Sequence, residues 1–340
     1  MSHAAGGSPA GAAMADRVRA YPGTLTYIDL IARNKRASLW LIALMILLAM
    51  VVGAVLAAAF AVYGGSAPEH LAISAFLGAG AMFLFSIVGT LWSWFGGAGA
   101  ILAMSGAKEI THAQDPELFN VVDEMRLAAG LPMPRVYMIE DSAMNAFATG
   151  RDPAHAAVAI TRGLRQRLTR DELQGVMAHE IAHIRHYDIR FAMLMATMVG
   201  LIVFAADASW RMLRYGGGGR RGKKEGGAAV VVVLVIALLL AILAPLIARM
   251  IQMAYSRQRE YLADAGAVEL SRNPQGLADA LRKLADDTDP LVDAANRGTA
   301  HMFIVNPLRK MRESHQALNS VFSSHPPVKE RIARLLALLR

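Results

Sequence analysis

His179 and His183 stand four residues apart in His179-Glu180-Ile181-Ala182-His183, and no other spacing in the chain points so directly to chemistry. Four residues is close to one helical turn, so on a helix both imidazoles leave the same face. Two neutral imidazoles at that spacing suit Zn²⁺, and the carboxylate of Glu180 beside the first can reach a water on the metal. Such a pair needs a third ligand from another element. Glu260 and Asp264, in the segment SRQREYLADA, are again four apart. One carboxylate can complete a two-His, one-carboxylate site with the fourth position left to water, and the other can accept a hydrogen bond from a liganding imidazole. The competing reading is a solvated helix face on which both acids pair with Arg257 or Arg259.

The histidine pair lies on a helix with a marked beginning. Thr169 and Glu172 form a T-x-x-E capping box, Asp171 adds negative charge to the first turn, and Leu173, Val176, Met177, Ile181 and Ile184 supply an apolar stripe. If this helix runs on, His186 lies about 10 Å along the axis from His179, too far to share an ion, and Asp188 points away from His179 and reads as structural. Upstream, Pro116 to Gly130 has helical periodicity with a glycine stop, and Arg135 to Ile139 and Ala156 to Ile160 read as short strands. Between the strands, Asp141 to Gly150 reads as a loop carrying Asn145-Ala146-Phe147-Ala148-Thr149-Gly150.

Around this polar centre the chain is unusually apolar. Of 340 residues, 55% are hydrophobic and 18% charged, with a mean hydropathy of +0.35, which implies membrane segments joined to a globular part. Four apolar runs stand out: Leu39 to Val62, Leu71 to Leu102 with Trp92, Trp94 and Phe95 near its end, Phe191 to Ala206, and Ala228 to Ile247. The expected division is a tail over 1–37, a transmembrane hairpin over 38–104, a first catalytic part over 105–190, two membrane-embedded helices over 191–250, and a second catalytic part over 251–340. Arg17, Arg19, Arg33, Lys35 and Arg36 precede the first span while the turn at 64–70 carries no Lys or Arg, which puts the N-terminus and the catalytic part in the cytoplasm. The glycine-rich basic loop at 211–227 conflicts with that rule if both later runs cross. Cysteine is absent, so any zinc is held by His and carboxylate. The net charge of +8 falls largely beside apolar segments, where anionic headgroups account for it, and no nucleic-acid motif accompanies it.

HEIAH, SRQREYLADAGA after two apolar segments, SSHPPVKERIARL near the C-terminus and NAFATG together resemble the HtpX family of membrane-bound zinc metalloproteases. That family is a gluzincin group related to the CAAX prenyl-protein endoproteases and the OMA-type proteases, and the likeness runs from about Pro116 to Leu335. The resemblance implies a mainly α membrane protein, with transmembrane helices and a gluzincin-type protease domain containing a small β-sheet. It implies one Zn²⁺ per chain on His179, His183 and Glu260, with Glu180 as general base and Asp264 holding the His179 ring. The oxyanion of the tetrahedral intermediate needs a further donor, for which His325 and Arg331 are the candidates; their structural alternative is to start the last helix and to bridge buried acids. An edge strand aligning an extended peptide is also implied. Ala156 to Ile160, with Ala157, Val158 and Ala159, is the candidate, beside a cleft lined by Asn145, Ala146 and Phe147.

The expected function is endoproteolysis of membrane or misfolded proteins in membrane-protein quality control under stress, at the inner or plasma membrane, with the bilayer and other membrane proteases as partners and no nucleic acid. Two alternatives stand beside it. A CAAX-type endoprotease would carry more spans than four apolar runs provide, and a non-catalytic zinc-containing scaffold would have no need of Glu180.

Overall fold

Long apolar stretches with no charge to solvate become helices wherever backbone groups must satisfy one another, and they set the frame of this molecule. The computed structural model describes residues 27–215, 228–287 and 326–339. Helix α1 is Tyr27–Tyr63 and α2 is Leu71–Met104. Among the described residues three helical segments are long and apolar enough to cross a membrane: Leu39–Val62, Leu71–Met104 and Asp188–Asp207. A fourth, Val235–Ala248, is apolar but shorter. Helices α1 and α2 meet where Gly53 faces Gly78; a Cβ on Gly53 would lie 2.4 Å from the Gly78 carbonyl oxygen. Small residues at such a crossing let two backbones touch.

The catalytic part follows as β1 (Lys108–Glu109), α3 (Pro116–Ala129), β2 (Arg135–Ile139), β3 (Ala146–Gly150), β4 (Ala156–Thr161), α4 (Arg162–Arg167) and α5 (Arg170–Arg185). Then come α6 (Asp188–Tyr215), α7 (Ala228–Ser271), α8 (Pro274–Asp286) and α9 (Val328–Ala337). The capping box of α5 is present in full: Thr169 accepts from the Glu172 backbone and Glu172 from the Thr169 backbone. Lys283 of α8 binds Glu172 at 2.7 Å, and Gly175 and Gly276 let these helices approach, since a Cβ on Gly175 would lie 2.5 Å from the Leu277 nitrogen.

The sheet order is β1-β2-β4-β3, with β2 and β4 parallel and the outer pairs antiparallel. Two expectations change here. Asn145 to Gly150 is not all loop, because Ala146–Gly150 forms β3. Nor is Ala156 to Ile160 an edge: β4 is flanked by β2 and β3, so Ala157, Val158 and Ala159 have no free edge to offer a peptide. The edge strand on that side is β3. Apart from Phe147 its residues are small, and all five are buried, so it lacks the alternation that marks a half-buried strand.

The sheet sits between two layers. Val136, Met138, Ala148, Val158 and Ile160 pack with α3, α5 and α8 in the main core. Tyr137, Ile139, Phe147, Ala157 and Ala159 face the other way, onto Ile101 and Leu102 of α2 and Met193 of α6. A third cluster joins α1, α6 and α7 through residues such as Val52, Met198 and Ala244. Helix α7 runs without a break from its apolar half, past Pro245, to Ala263 and Ala267 in the main core, so the expected boundary at 250 falls inside one helix.

Candidate metal centre

Helix α5 carries His179, Glu180 and His183, and α7 brings Glu260 and Asp264 across from it. One ligand atom from each of His179, His183 and Glu260 lies within 4.8 Å of the others. The Nε2 atoms of the two histidines are 3.1 Å apart, and Glu260 oxygens lie 3.8 Å from His179 Nε2 and 3.5 Å from His183 Nε2. A tetrahedral ion with N and O ligands at ~2.0–2.2 Å separates them by about 3.3–3.6 Å, so the cluster fits such an ion after shifts of a few tenths of an ångström. Both imidazoles turn Nε2 inward because Nδ1 is held behind: His179 by Asp264 at 3.0 Å and His183 by Asp188 at 3.1 Å.

Sequence reasoning missed the second of these carboxylates. A continuous helix would turn Asp188 away, but α5 ends at Arg185 and Tyr187 takes a left-handed φ of 62°. The chain restarts as α6 at Asp188 in a new direction, which returns that carboxylate to His183. Arg259 completes the arrangement, 2.9 Å from Asp188 with its guanidinium 3.8 Å above the Phe191 ring. On the other side Arg331 of α9, fully buried, grips Asp264 through Nε at 2.9 Å and a terminal nitrogen at 2.7 Å, and reaches Glu260 at 3.2 Å. Its guanidinium is thus occupied in bridging acids, and this geometry favours the structural reading over an oxyanion donor. His325 lies outside the described residues. The acids also do not form a solvated face: Glu260 and Asp264 are both buried.

Charge follows this packing. Burial alone would push the Asp264 carboxyl up, but the Arg331 charge and bonds from His179 and Arg331 outweigh it and hold Asp264 below its usual range. Burial pulls His179 down, against the Asp264 bond. For His183 burial also pulls down, but the bonds to Asp188 and Glu260 win and push it up to about 10. Burial, reinforced by the Glu260 charge, raises Glu180 to about 7, and its carboxylate accepts from the backbone N–H of Ala148 on β3. Asn145 is buried at the start of that strand, its backbone N–H donating to the Thr161 hydroxyl and its side-chain oxygen accepting from the Ala146 N–H. That is a loop-shaping role as much as a cleft-lining one.

Two imidazoles and a carboxylate converging on one point, beside a buried acid poised near neutrality, have the architecture of a metallohydrolase centre. The model of peptidase family M48 matches residues 112–339. A curated Protease HtpX homolog of Ligilactobacillus salivarius is 43% identical over 305 residues, 90% of this chain and 97% of its own length. Another, of Thermodesulfovibrio yellowstonii, is 51% identical over 71% of this chain and 81% of its own. The crystal structure of S. mikatae Ste24p aligns at 21% identity and a TM-score of 0.47, covering 74% of this chain and 57% of that one. The chain belongs to peptidase family M48, among the HtpX proteases, and is a membrane metalloprotease.

Proposed function

We propose that this chain is a zinc endopeptidase whose metal is held by His179, His183 and Glu260, with Glu180 as general base. The observation that carries the reading is the convergence of those three ligand atoms within 4.8 Å, with each Nδ1 about 3 Å from a carboxylate behind it. Zinc in that cluster would supply Lewis acidity, lowering the pKa of a water towards neutral and polarising the scissile carbonyl. Glu180 takes the proton of the attacking water and delivers it to the leaving amine nitrogen. Burial holds its carboxyl up to about 7 in the metal-free centre, which favours accepting and returning a proton near neutral pH. Asp264 and Asp188 keep both imidazole Nε2 atoms aimed at the ion, and Arg331 holds Asp264 ionised and reaches Glu260. The outer edge of β3, where Ala146, Phe147, Ala148 and Thr149 are no more than 6% exposed at rest, is where an extended substrate would pair by its main chain.

The membrane helices confine the enzyme to the bilayer, so its substrates are membrane proteins or misfolded chains beside it. The charge bias before the first span supports a cytoplasmic catalytic part, and the HtpX resemblance supports a place in membrane-protein quality control. The test is zinc content and cleavage of an unfolded protein in detergent, wild type beside Glu180→Gln. We expect one zinc per chain in both and a loss of turnover on the order of 10²–10⁴-fold in the variant. Undiminished cleavage would remove Glu180 from its role, and zinc-free protein would remove the metal reading.

A further inference from the structure

The active centre is tied to the membrane surface by two independent lines of contact. Helix α2 has 34 residues, about 51 Å at ~1.5 Å per residue, well beyond the roughly 20 residues that cross a hydrocarbon core. Its far end, Ile101 and Leu102, is packed under the sheet, so the membrane boundary lies before it. Trp92 and Phe95 are exposed at 58% and 73%, as an interfacial aromatic belt would be in the absence of lipid. Two arginines of the catalytic part meet this belt. Arg190 lies 5.4 Å from the Trp94 ring, and Arg151 lies 5.8 Å from the Phe95 ring. Arginine over interfacial aromatics marks the level where charge meets the bilayer.

From that level the chain itself is a ruler. Arg151 directly follows β3, and Ala148, whose N–H meets the Glu180 carboxylate, is three residues back. At ~3.3 Å per residue in a strand, Ala148 is about 10 Å from Arg151, whose guanidinium is itself 5.8 Å from the Phe95 ring, so Glu180 is within about 20 Å of the belt. The second ruler is α6: Asp188, bonded to His183, is two residues from Arg190, about 3 Å of helical rise. Both lines place the reacting point close under the membrane. The strand that would align a peptide has one end at the belt. Asn145 accepts from the Thr161 N–H, so alternate residues Ala146 and Ala148 turn their backbone groups to the outer edge, where their N–H groups meet the Asn145 side chain and the Glu180 carboxylate.

We infer that the substrates are membrane proteins cut in an extended juxtamembrane segment, about three to six residues beyond the end of a span on the catalytic side, with position measured from the bilayer and not from sequence. The inference rests on the zinc endopeptidase reading above. It requires no pocket for a particular side chain: the substrate's own span sets the register, and β3 holds the following residues extended.

The test uses the full zinc-loaded protein in liposomes, with a single-span test protein carrying an unstructured tail of uniform repeating sequence. Cut positions are mapped by mass spectrometry. Most cuts should fall about three to six residues from the span, and inserting six residues at the junction should leave that distance unchanged, so that the cuts now fall within the inserted residues. Cuts that follow the sequence after insertion, or spread evenly along the tail, overturn the inference. Cleavage of an unfolded soluble protein in detergent by wild type and not by Glu180→Gln is run in parallel. If that succeeds while the tail cuts are unordered, only the inference falls; if that fails, the endopeptidase reading falls first and takes the inference with it. The chain has no cysteine, so one introduced as Arg151→Cys can carry a fluorophore alone. Quenching by lipid-borne spin labels should place it at the headgroups, and a label out of their reach would overturn the geometry whatever the turnover.

Discussion

His179 and His183 each set Nδ1 about 3 Å from an aspartate that meets an arginine, yet the two Asp–Arg pairs come from different parts of the molecule. Behind His179, Asp264 and Arg331 lie within the catalytic layers, and Arg331 also reaches Glu260, so one guanidinium neutralises two buried acids. Behind His183, Asp188 is the first residue of a membrane helix and Arg259 precedes the third ligand, with Phe191 beneath it. The chemical demand is the same, an imidazole fixed in one tautomer. One arrangement ties the metal centre to the C-terminal helix; the other ties it to the bundle that enters the bilayer.

The largest effect that would separate the two belongs to the first pair. Arg331→Met leaves Asp264 and Glu260 buried without their countercharge and should cost about 3–5 kcal/mol of stability, read by thermal unfolding in detergent. A loss under ~1 kcal/mol would show that those acids are solvated and the comparison mistaken. Acid should act on the same contact. Asp264 is depressed below its ordinary 3.8, so its stabilisation is complete above that value and is lost as pH falls through the lower, folded value. Wild type should therefore lose stability on acidification below that range, and Arg331→Met should show a flatter profile.

The second pair should be felt in metal affinity more than in folding. Asp188→Ala frees the His183 ring and should weaken zinc binding about 10–100-fold in chelator competition. Affinity equal to wild type would mean that His183 is held by packing alone. Smallest is Phe191→Leu, which removes the ring under Arg259 while keeping an apolar side chain. It should cost about 1 kcal/mol, visible as a small drop in the unfolding midpoint, and no change would reduce the guanidinium–ring contact to mere proximity.

Legibility followed the range of the interactions. The capping box, the histidine spacing and the apolar stripe of α5 are set within one or two turns, and all are present as read from the chain. Glu260 and Asp264 stood out by their four-residue spacing beside the upstream histidine pair, and it was the resemblance to the HtpX family that chose Glu260 between them. Strand β3 escaped because Ala146, Ala148 and Gly150 carry little side chain and both faces are covered, so no period of two survives. Asp188 escaped because helical periodicity was extended through Tyr187, where the backbone turns left-handed. A tyrosine carries no local signal for that conformation, which costs energy that only surrounding packing can offset.

What the sequence determined by itself is therefore short-range: a helix bearing two imidazoles and an acid, a distant helix bearing two carboxylates, and apolar segments long enough to lie in a bilayer. Tertiary structure alone decided which strand is the edge, that Arg331 serves two acids, that Asp188 returns to His183, and that Arg151 and Arg190 meet the aromatic stretch of α2. Each of these depends on groups distant in the chain meeting in a buried place. There a charge is stable only beside its partner, and residue order carries no record of which partner that is.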